Sequence, residues 1–285
     1  MRKISIFILC AITLPLFAQD KPAYSLFNEK GKTVKYAKML KAIEEADMVF
    51  FGELHDNPIC HWLQLELTKD LHERKETDLI LGGEFFESDN QLLIDEYLSG
   101  AISEKNFEAE VKLWPNYTTD YKPLLQFAKD NNLKFVASNV PRRYASRVYK
   151  QGIESLEEIS EEAKAYLPPL PIVIDLELPA YQQMLEMGMG HGGDNIVKAQ
   201  ALKDATMAHF ILEYYTTGKL VLHYNGSYHS NSKEGIIWYL LQANPDLKIV
   251  NIASVMQEGV SSLEEESLGI ADFILCIPEN MTRTH

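Results

Sequence analysis

Short apolar segments that are typical of buried strands alternate with amphipathic helical segments along most of this 285-residue chain. Six predicted strands cover residues 47–52, 78–83, 134–138, 219–223, 248–252 and 272–277. Strands that are separated by helices are typical of a parallel sheet with helices on its faces. The sequence therefore predicts an α/β fold with a mainly parallel sheet covered by helices. Residues 152–179, which are acidic and then rich in proline, are interpreted as a helical excursion within a single domain.

The first 20 residues have a different character from the rest. Arg2 and Lys3 precede an apolar run at 4–17, and Ala18 supplies the small residue of a cleavage site. This order is typical of a secretory signal peptide, and the run is shorter than the roughly 20 residues of a membrane-spanning helix. We predict a signal peptide at 1–18, a domain at 19–285, and an exported protein of the periplasm or cell envelope. The alternatives are an uncleaved membrane anchor and lipidation at Cys10.

The charge balance excludes one class of partner. The chain has 41 Asp and Glu against 27 Lys and Arg, which gives a formal charge of -14. Such a chain offers no basic field for phosphates, so we expect no nucleic acid partner. The three cysteines lack the spacing of a structural zinc site. Cys60 and Cys276 either form a disulfide or remain buried thiols.

Polar side chains follow four of the predicted strands. In parallel α/β sheets, ligands bind beyond the carboxyl ends of the strands, so these loops are expected to meet at one edge. The residues concerned, in strand order, are Glu53, His55, Asp56 and His61; Glu84 and Glu87; Asn139, Arg142 and Arg143; and Asn225, Tyr228 and His229. The sequence therefore predicts one site that is assembled from four loops.

Two Gly-x-x-His segments carry the sharpest signal at this edge. Glu53 and His55 are two residues apart, so extended backbone directs both side chains to one side. His229 ends the second segment, and we predict that these three residues share a site. Carboxylate and imidazole ligands suit zinc, manganese or iron, and histidine or tyrosine can also ligate haem. The leading glycines, Gly52 and Gly226, are expected to let the backbone turn sharply. The alternative for each segment is an ordinary polar loop that caps the next helix.

Other candidates each have a structural alternative. His61 lies in a predicted helix that begins after Asn57 and has Leu63, Leu67 and Leu71 on one face. It either lines the site or lies on the surface opposite that face. Arg142 binds an anion such as a propionate or forms a salt bridge with Glu84 or Glu87. Gln200 and Asp204 share a helix face that is either functional or solvent-exposed. The loop 187–193, with Met189 and His191, either folds over a ligand or has no function.

Several longer motifs resemble one known family. They are Phe51-Gly52-Glu53-Leu54-His55-Asp56-Asn57-Pro58, Trp114-Pro115-Asn116-Tyr117, Asn139-Val140-Pro141-Arg142-Arg143-Tyr144-Ala145, and the segment 200–208. Together with His61, Gln64-Leu65, Asp120-Tyr121 and Pro123-Leu124-Leu125, they resemble the ChaN family of bacterial haem-binding proteins, within the Tiki/TraB/erythromycin-esterase superfamily. The resemblance covers nearly all of the predicted exported chain. It implies an α/β fold, an exported and usually lipid-anchored protein, and haem held at the interface of a homodimer.

The resemblance also implies that the paired Gly-x-x-His segments match a superfamily pattern that binds divalent metal in metallopeptidase members. The second segment departs from that pattern, because Ser227-Tyr228 stands before His229 where a tighter Gly-Asn-Gly-His is expected. This departure adds Tyr228 to the candidate haem contacts.

Two classes of function follow. The first, which we favour, is a haem-binding protein of iron uptake that works with an envelope transport system; its candidate contacts are His55, His61, Arg142, Tyr228, His229, Met189 and His191. The second is a metal-dependent hydrolase. In it, His55, His229 and a carboxylate such as Glu53 hold a divalent ion that activates water, while a second carboxylate, Glu53 or Glu84, transfers protons. A third hypothesis is a structural envelope protein that has kept the fold and lost the ligand.

Overall fold

One seven-stranded sheet organises the protein. The computed structural model describes residues 21–187 and 193–284. The strands are β1 (Ser25–Asn28), β2 (Met48–Glu53), β3 (Leu79–Glu87), β4 (Lys134–Asn139), β5 (Leu220–Gly226), β6 (Ile249–Gln257) and β7 (Phe273–Pro278). They are arranged in the order β1-β7-β6-β2-β5-β3-β4. The β1–β7 pair is antiparallel and every other pair is parallel. This confirms the predicted mainly parallel α/β fold.

Helices cover both faces of the sheet. They are α1 (Tyr36–Ile43), α2 (Pro58–Lys75), α3 (Gln91–Leu98), α4 (Glu104–Glu110), α5 (Lys122–Asp130), α6 (Arg142–Gln151), α7 (Glu161–Lys164), α8 (Pro179–Met187), α9 (Asp194–Tyr214) and α10 (Ile236–Ala243). The start of α2 is set locally, because the Asn57 side chain accepts hydrogen bonds from the backbone N–H groups of Ile59 and Cys60. Within the described ranges, each helix is either too short or too polar to cross a membrane.

The alternation of side chains along each strand produces two cores. Phe51 of β2 packs in the core that α2 and α5 cover, together with Leu67 and Leu124. Its neighbour Phe50 packs on the other face, against residues of α9 and α10 such as Met207. Successive strand side chains point to opposite faces, so both faces of a central strand must be apolar. The strands that bear the site are therefore held from both sides.

The predicted excursion packs beside the sheet and not as a separate unit. A 3₁₀ segment at Ile153–Glu158 and α7 follow α6, and the chain returns through α8 to α9. Leu156 and Leu167 pack against Val148 of α6 and Leu202 of α9 in a small core of their own. This core fixes α6 and α9 relative to each other next to the sheet edge.

The elements that the sequence did not predict include β1 and α10. The strand β1 has only four residues, of which Leu26 and Phe27 are buried, so it leaves no alternating pattern. The helix α10 is apolar over most of its length and lacks the polar face that marks a surface helix. The two described cysteines, Cys60 and Cys276, are both free and buried, which is the thiol alternative and not the disulfide.

Candidate functional site

The carboxyl ends of β2, β3 and β5 bring four predicted site residues together. Glu53 ends β2 in register with Gly226 at the end of β5. Glu84, on β3, accepts the backbone N–H of Gly226 with one carboxylate oxygen at 2.7 Å. His55 and His229 follow β2 and β5 directly, so both imidazoles lie beside Glu84. The topology therefore unites residues that are far apart in the sequence.

Glu53 orients His55. Nδ1 of His55 donates to Oε1 of Glu53 at 2.9 Å, and the same oxygen accepts the hydroxyl of Tyr121 at 2.6 Å. Nε2 of Gln64 donates to the other oxygen at 2.5 Å. Burial disfavours the charged form of Glu53, but the hydrogen bond from His55 and the charge of His61 outweigh it and lower the pKa of Glu53. The carboxylate is thus ionised and has hydrogen-bond donors on both oxygens.

The side chain of His55 is 44% exposed, and its second nitrogen makes no protein hydrogen bond within the described residues. It packs edge-on against Trp114, with ring centroids 5.1 Å apart. Burial would lower the pKa of His55, but the hydrogen bond to Glu53 and the charge of Glu84 raise it. His55 is therefore a fixed, basic imidazole at the border of the buried residues.

His229 is enclosed between two carboxylates. Its Nδ1 donates to Oδ1 of Asp204 at 2.5 Å, and its Nε2 lies 3.2 Å from Oε1 of Glu84. Burial opposes protonation, but the two carboxylate charges outweigh it and raise the pKa of His229 to about 10. The charge of His229 in turn overcomes the effect of burial on Glu84 and lowers the pKa of that carboxyl. At neutral pH, His229 is an imidazolium with both N–H groups engaged.

Asp204, which the sequence places with Gln200 on a helix face that is either functional or solvent-exposed, is a residue of the site. It is fully buried and accepts a second hydrogen bond from the hydroxyl of Tyr181 at 2.9 Å. Gln200, one turn earlier on α9, has its side-chain nitrogen 3.0 Å from Nδ1 of His229. The solvent-exposed alternative is therefore wrong for Asp204. An acidic residue among apolar neighbours such as Leu202 and Ala205 is the signal that could have identified it.

The two motif glycines act through close packing, and the prediction of sharp turns is wrong. Gly226 has φ of -57° and ψ of 140°, which any residue can adopt. A β-carbon at Gly226 would lie 2.7 Å from Nε2 of His55, and one at Gly52 would lie 3.0 Å from Cα of Ser227. The glycines thus make room for the imidazole and for the neighbouring loop.

His61 is buried within the same polar region. Its Nε2 lies 3.1 Å from the carbonyl oxygen of His55 and 3.4 Å from Oδ2 of Asp120. Its Nδ1 lies 3.1 Å from Oε1 of Gln64. The surface alternative is therefore wrong for His61, which supports the Glu53 side of the site from behind.

An open cleft of about 690 Å³ adjoins these buried groups. One wall is α6, which contributes Arg142, Ala145, Ser146 and Tyr149, and another is α9, which contributes Ile196, Ala199, Gln200 and Lys203. Each set has the spacing of a single helix face. Trp114 and Glu84 also line the cleft. Trp114 contacts His55, and Glu84 forms an ion pair with His229. These two residues therefore connect the cleft with the buried groups.

The other predicted haem contacts differ in their exposure to solvent. Arg142 is exposed in the cleft, and the salt bridge to Glu84 or Glu87 that its sequence position allowed is not formed. The side chain of Tyr228 is 63% exposed, whereas His229 beside it is buried. Met189 and His191 lie outside the described residues.

Comparison with known proteins gives the family. The model of a family described as "Haem-binding uptake, Tiki superfamily, ChaN" matches residues 39–240. This chain belongs to the ChaN family. It is 26% identical over 204 residues to Protein RETICULATA-RELATED 5, chloroplastic, of Arabidopsis thaliana; the match covers 66% of this chain and 27% of that protein. The chain therefore spans about a quarter of the length of this curated relative.

Solved structures share the fold. The ChaN of Campylobacter jejuni, described with cofacial haem binding, superposes with a TM-score of 0.66 at 17% identity, covering 88% of this chain and 96% of that chain. An erythromycin esterase mutant, EreC H289N, gives a TM-score of 0.52 at 11% identity, covering 89% and 97% of the two chains.

The buried groups of this ChaN family member do not fit the predicted metal site in their present arrangement. Both nitrogens of His229 face carboxylates, and both oxygens of Glu53 already accept hydrogen bonds. Among residues 21–187 and 193–284, no three His, Cys, Asp or Glu side chains are grouped to hold a metal ion. The metal ligand set of Glu53, His55 and His229 stays a prediction without support from this geometry.

Proposed function

We propose that this ChaN family member is an exported protein that binds haem for haem or iron uptake, and that the haem occupies the cleft between α6 and α9. The observation that carries the proposal is the cleft itself. It is large, open to solvent and lined by apolar groups, including Trp114, Val140, Met184 and Ile196, with polar groups among them. Such a surface suits a flat, mostly apolar macrocycle with polar substituents.

Tyr149 is the iron ligand that we propose. Among the described side chains that line the cleft, only Tyr149 and Met184 are of the types that ligate haem iron axially. Tyr149 is 43% exposed, so its phenol is accessible to an incoming ligand. His229 is a poor alternative, because both of its nitrogens carry protons that point at carboxylates. We therefore assign the buried histidine to the support of the cleft and the tyrosine to ligation.

A second copy of the chain completes the site in this proposal. The cleft is open on one side, so a flat ligand that rests on α6 and α9 leaves one face exposed to water. An exposed apolar macrocycle face favours association, because burial of apolar area is the main driving force between proteins. The family resemblance and the cofacial haem binding described for the Campylobacter jejuni protein support a homodimer that encloses haem.

Haem titration tests this function directly. We expect a Soret band that shifts on binding to purified protein, and sedimentation that changes from monomer to dimer when haem is added. Tyr149→Phe should remove the phenolate and alter the spectrum, whereas Tyr144→Phe on the same helix, outside the cleft, should not. A monomeric haem complex would contradict the dimer, and an unshifted spectrum at saturating haem would contradict the function.

Export has a separate test. Intact mass of protein from its native host should correspond to a chain that begins after Ala18. A retained Met1 would contradict the cleaved signal peptide. A mass that corresponds to a lipid on Cys10 would show that the protein is anchored to a membrane.

A second candidate function is hydrolysis without a metal, and the Glu53–His55 pair favours it. A carboxylate that holds Nδ1 of an imidazole leaves Nε2 to take a proton from water, as in general-base catalysis. Assay of the purified protein with activated esters, with and without a chelator, distinguishes the two functions. Turnover that is lost in His55→Ala and unaffected by the chelator would favour this candidate over haem binding alone.

A further inference from the structure

Arg142 is the exception among the arginines of the described residues. Four of the five form salt bridges: Arg74 with Glu44, Arg143 with Asp89, Arg147 with Glu158, and Arg283 with Asp56. Within residues 21–187 and 193–284, no carboxylate lies within 4.0 Å of the Arg142 guanidinium. In a chain with 41 acidic residues, an exposed guanidinium that faces a cleft without such a partner is available for an anionic ligand.

The two carboxylates among the described residues of the cleft lining, Glu84 and Glu87, have other partners. Glu84 holds His229 and the backbone N–H of Gly226. Glu87 accepts the backbone N–H of Arg142, and its pKa is raised by partial burial and by the charge of Asp89. The imidazolium of His229 balances the charge of Glu84. The Arg142 side chain is therefore available to an anionic ligand. The partners of Glu84 and Glu87 reduce the repulsion that two unpaired carboxylates would exert on such a ligand.

Lys203 supplies a second cation to the same cleft from the opposite helix. It is half-buried and, among the described residues, has no carboxylate within 4.0 Å of its ammonium group. Arg142 begins α6 directly after β4, and Lys203 precedes Asp204, which bonds the His229 that follows β5. The two cations therefore line the same cleft from two different helices.

We propose that Arg142 and Lys203 form a two-cation clamp that binds the paired carboxylates of the porphyrin. The clamp makes the protein selective for a dicarboxylate macrocycle, which enters with its carboxylates toward the sheet edge. This inference rests on the proposed function, because it places haem in the cleft. Tyr149 lies seven residues after Arg142 on the same face, about 10 Å along the helix axis. One planar ligand is thus contacted at its charged edge by Arg142 and at its centre by Tyr149.

Paired ligands and matched variants test the clamp. Haem and haem dimethyl ester have the same iron and macrocycle, but the ester lacks the negative charges. We expect the unaltered protein to bind haem about tenfold or more tightly than the ester, because hydrogen bonds to charged groups are the stronger ones. Arg142→Gln and Lys203→Gln should each weaken haem binding about tenfold and leave ester binding nearly unchanged. The control is Lys150→Gln, an exposed lysine of α6 that lies outside this cleft.

The possible results distinguish failure of the clamp from failure of haem binding itself. Equal affinity for haem and its ester in the unaltered protein, with a normal Soret shift, overturns the clamp and leaves haem binding intact. A similar loss for both ligands in Arg142→Gln also overturns it, because charge recognition would then not be involved. No Soret shift with either ligand overturns the proposed function together with the clamp. Thermal unfolding of each variant verifies that the fold is retained.

Discussion

The buried side of the site and the open cleft beside it differ in how their charged side chains are paired. Glu53, Glu84, Asp204 and His229 are buried, and each has charged or hydrogen-bonding partners within the protein. In the cleft, Arg142 has no carboxylate partner among the described residues. A buried charge must be paired when the chain folds, whereas an exposed charge is solvated by water and stays available to a ligand. The first region therefore supports the fold, and the second is where we propose that a ligand binds.

The largest effect is expected from His229→Ala. This change leaves Glu84 and Asp204 buried without the cation between them, and removing one partner of a buried pair costs about 3–5 kcal/mol. Urea unfolding should show this loss in the free energy of unfolding. The matched control is Tyr228→Ala at the exposed neighbour, which should stay within about 0.5 kcal/mol. Equal effects of the two changes would remove the distinction between the regions.

The next effect is a dependence of stability on pH. Glu53 and Glu84 have lowered pKa values, so their contribution is complete above pH 4.5 and is lost as the pH falls through the folded values. His55 and His229 have raised pKa values, so theirs is complete below pH 6.5 and declines as the pH rises, toward about 10 for His229. We expect the urea midpoint to be highest between these limits. A midpoint that increases from about pH 6 to about pH 9 would contradict the charge assignments.

A smaller effect is expected at the contact between the two Gly-x-x-His segments. In Gly226→Ala, the added methyl group would lie 2.7 Å from Nε2 of His55, so the ring must move. Overpacking of this kind costs about 1–3 kcal/mol. Gly259→Ala is the control, because no neighbouring heavy atom lies within 4 Å of its added carbon. Equal unfolding free energies of the two variants would show that the His55 ring does not pack against Gly226.

The smallest effect on stability is expected in the cleft. Arg142→Gln should change the free energy of unfolding by no more than about 0.5 kcal/mol, because the guanidinium is exposed and unpaired within the described residues. The same variant should weaken haem binding clearly, as argued above. A large loss of stability without ligand would mean that Arg142 belongs to the structural region after all.

The sequence predicts the sheet and the edge of the site well, because both depend on local pattern. All six parallel strands are found near their predicted positions, and the loops after them carry the residues that meet. The polar partners come from other elements. Tyr121, Gln64 and Asp204 lie on helices, where a polar side chain that faces the interior has the same sequence signal as one that faces water. The cleft also depends on how the excursion packs α6 against α9, which no short motif specifies.

Glu84 is shared by the two regions, and this limits how the protein can change over evolutionary time. It lines the cleft and also holds His229 and the backbone of β5. A substitution there that suits a new ligand would also destabilise the sheet edge. If the cleft binds the ligand as proposed, variation in what it accepts is therefore expected on the faces of α6 and α9, at positions such as Ser146 and Ile196. Laboratory selection for a different porphyrin should begin with those two helices and leave the strand ends unchanged.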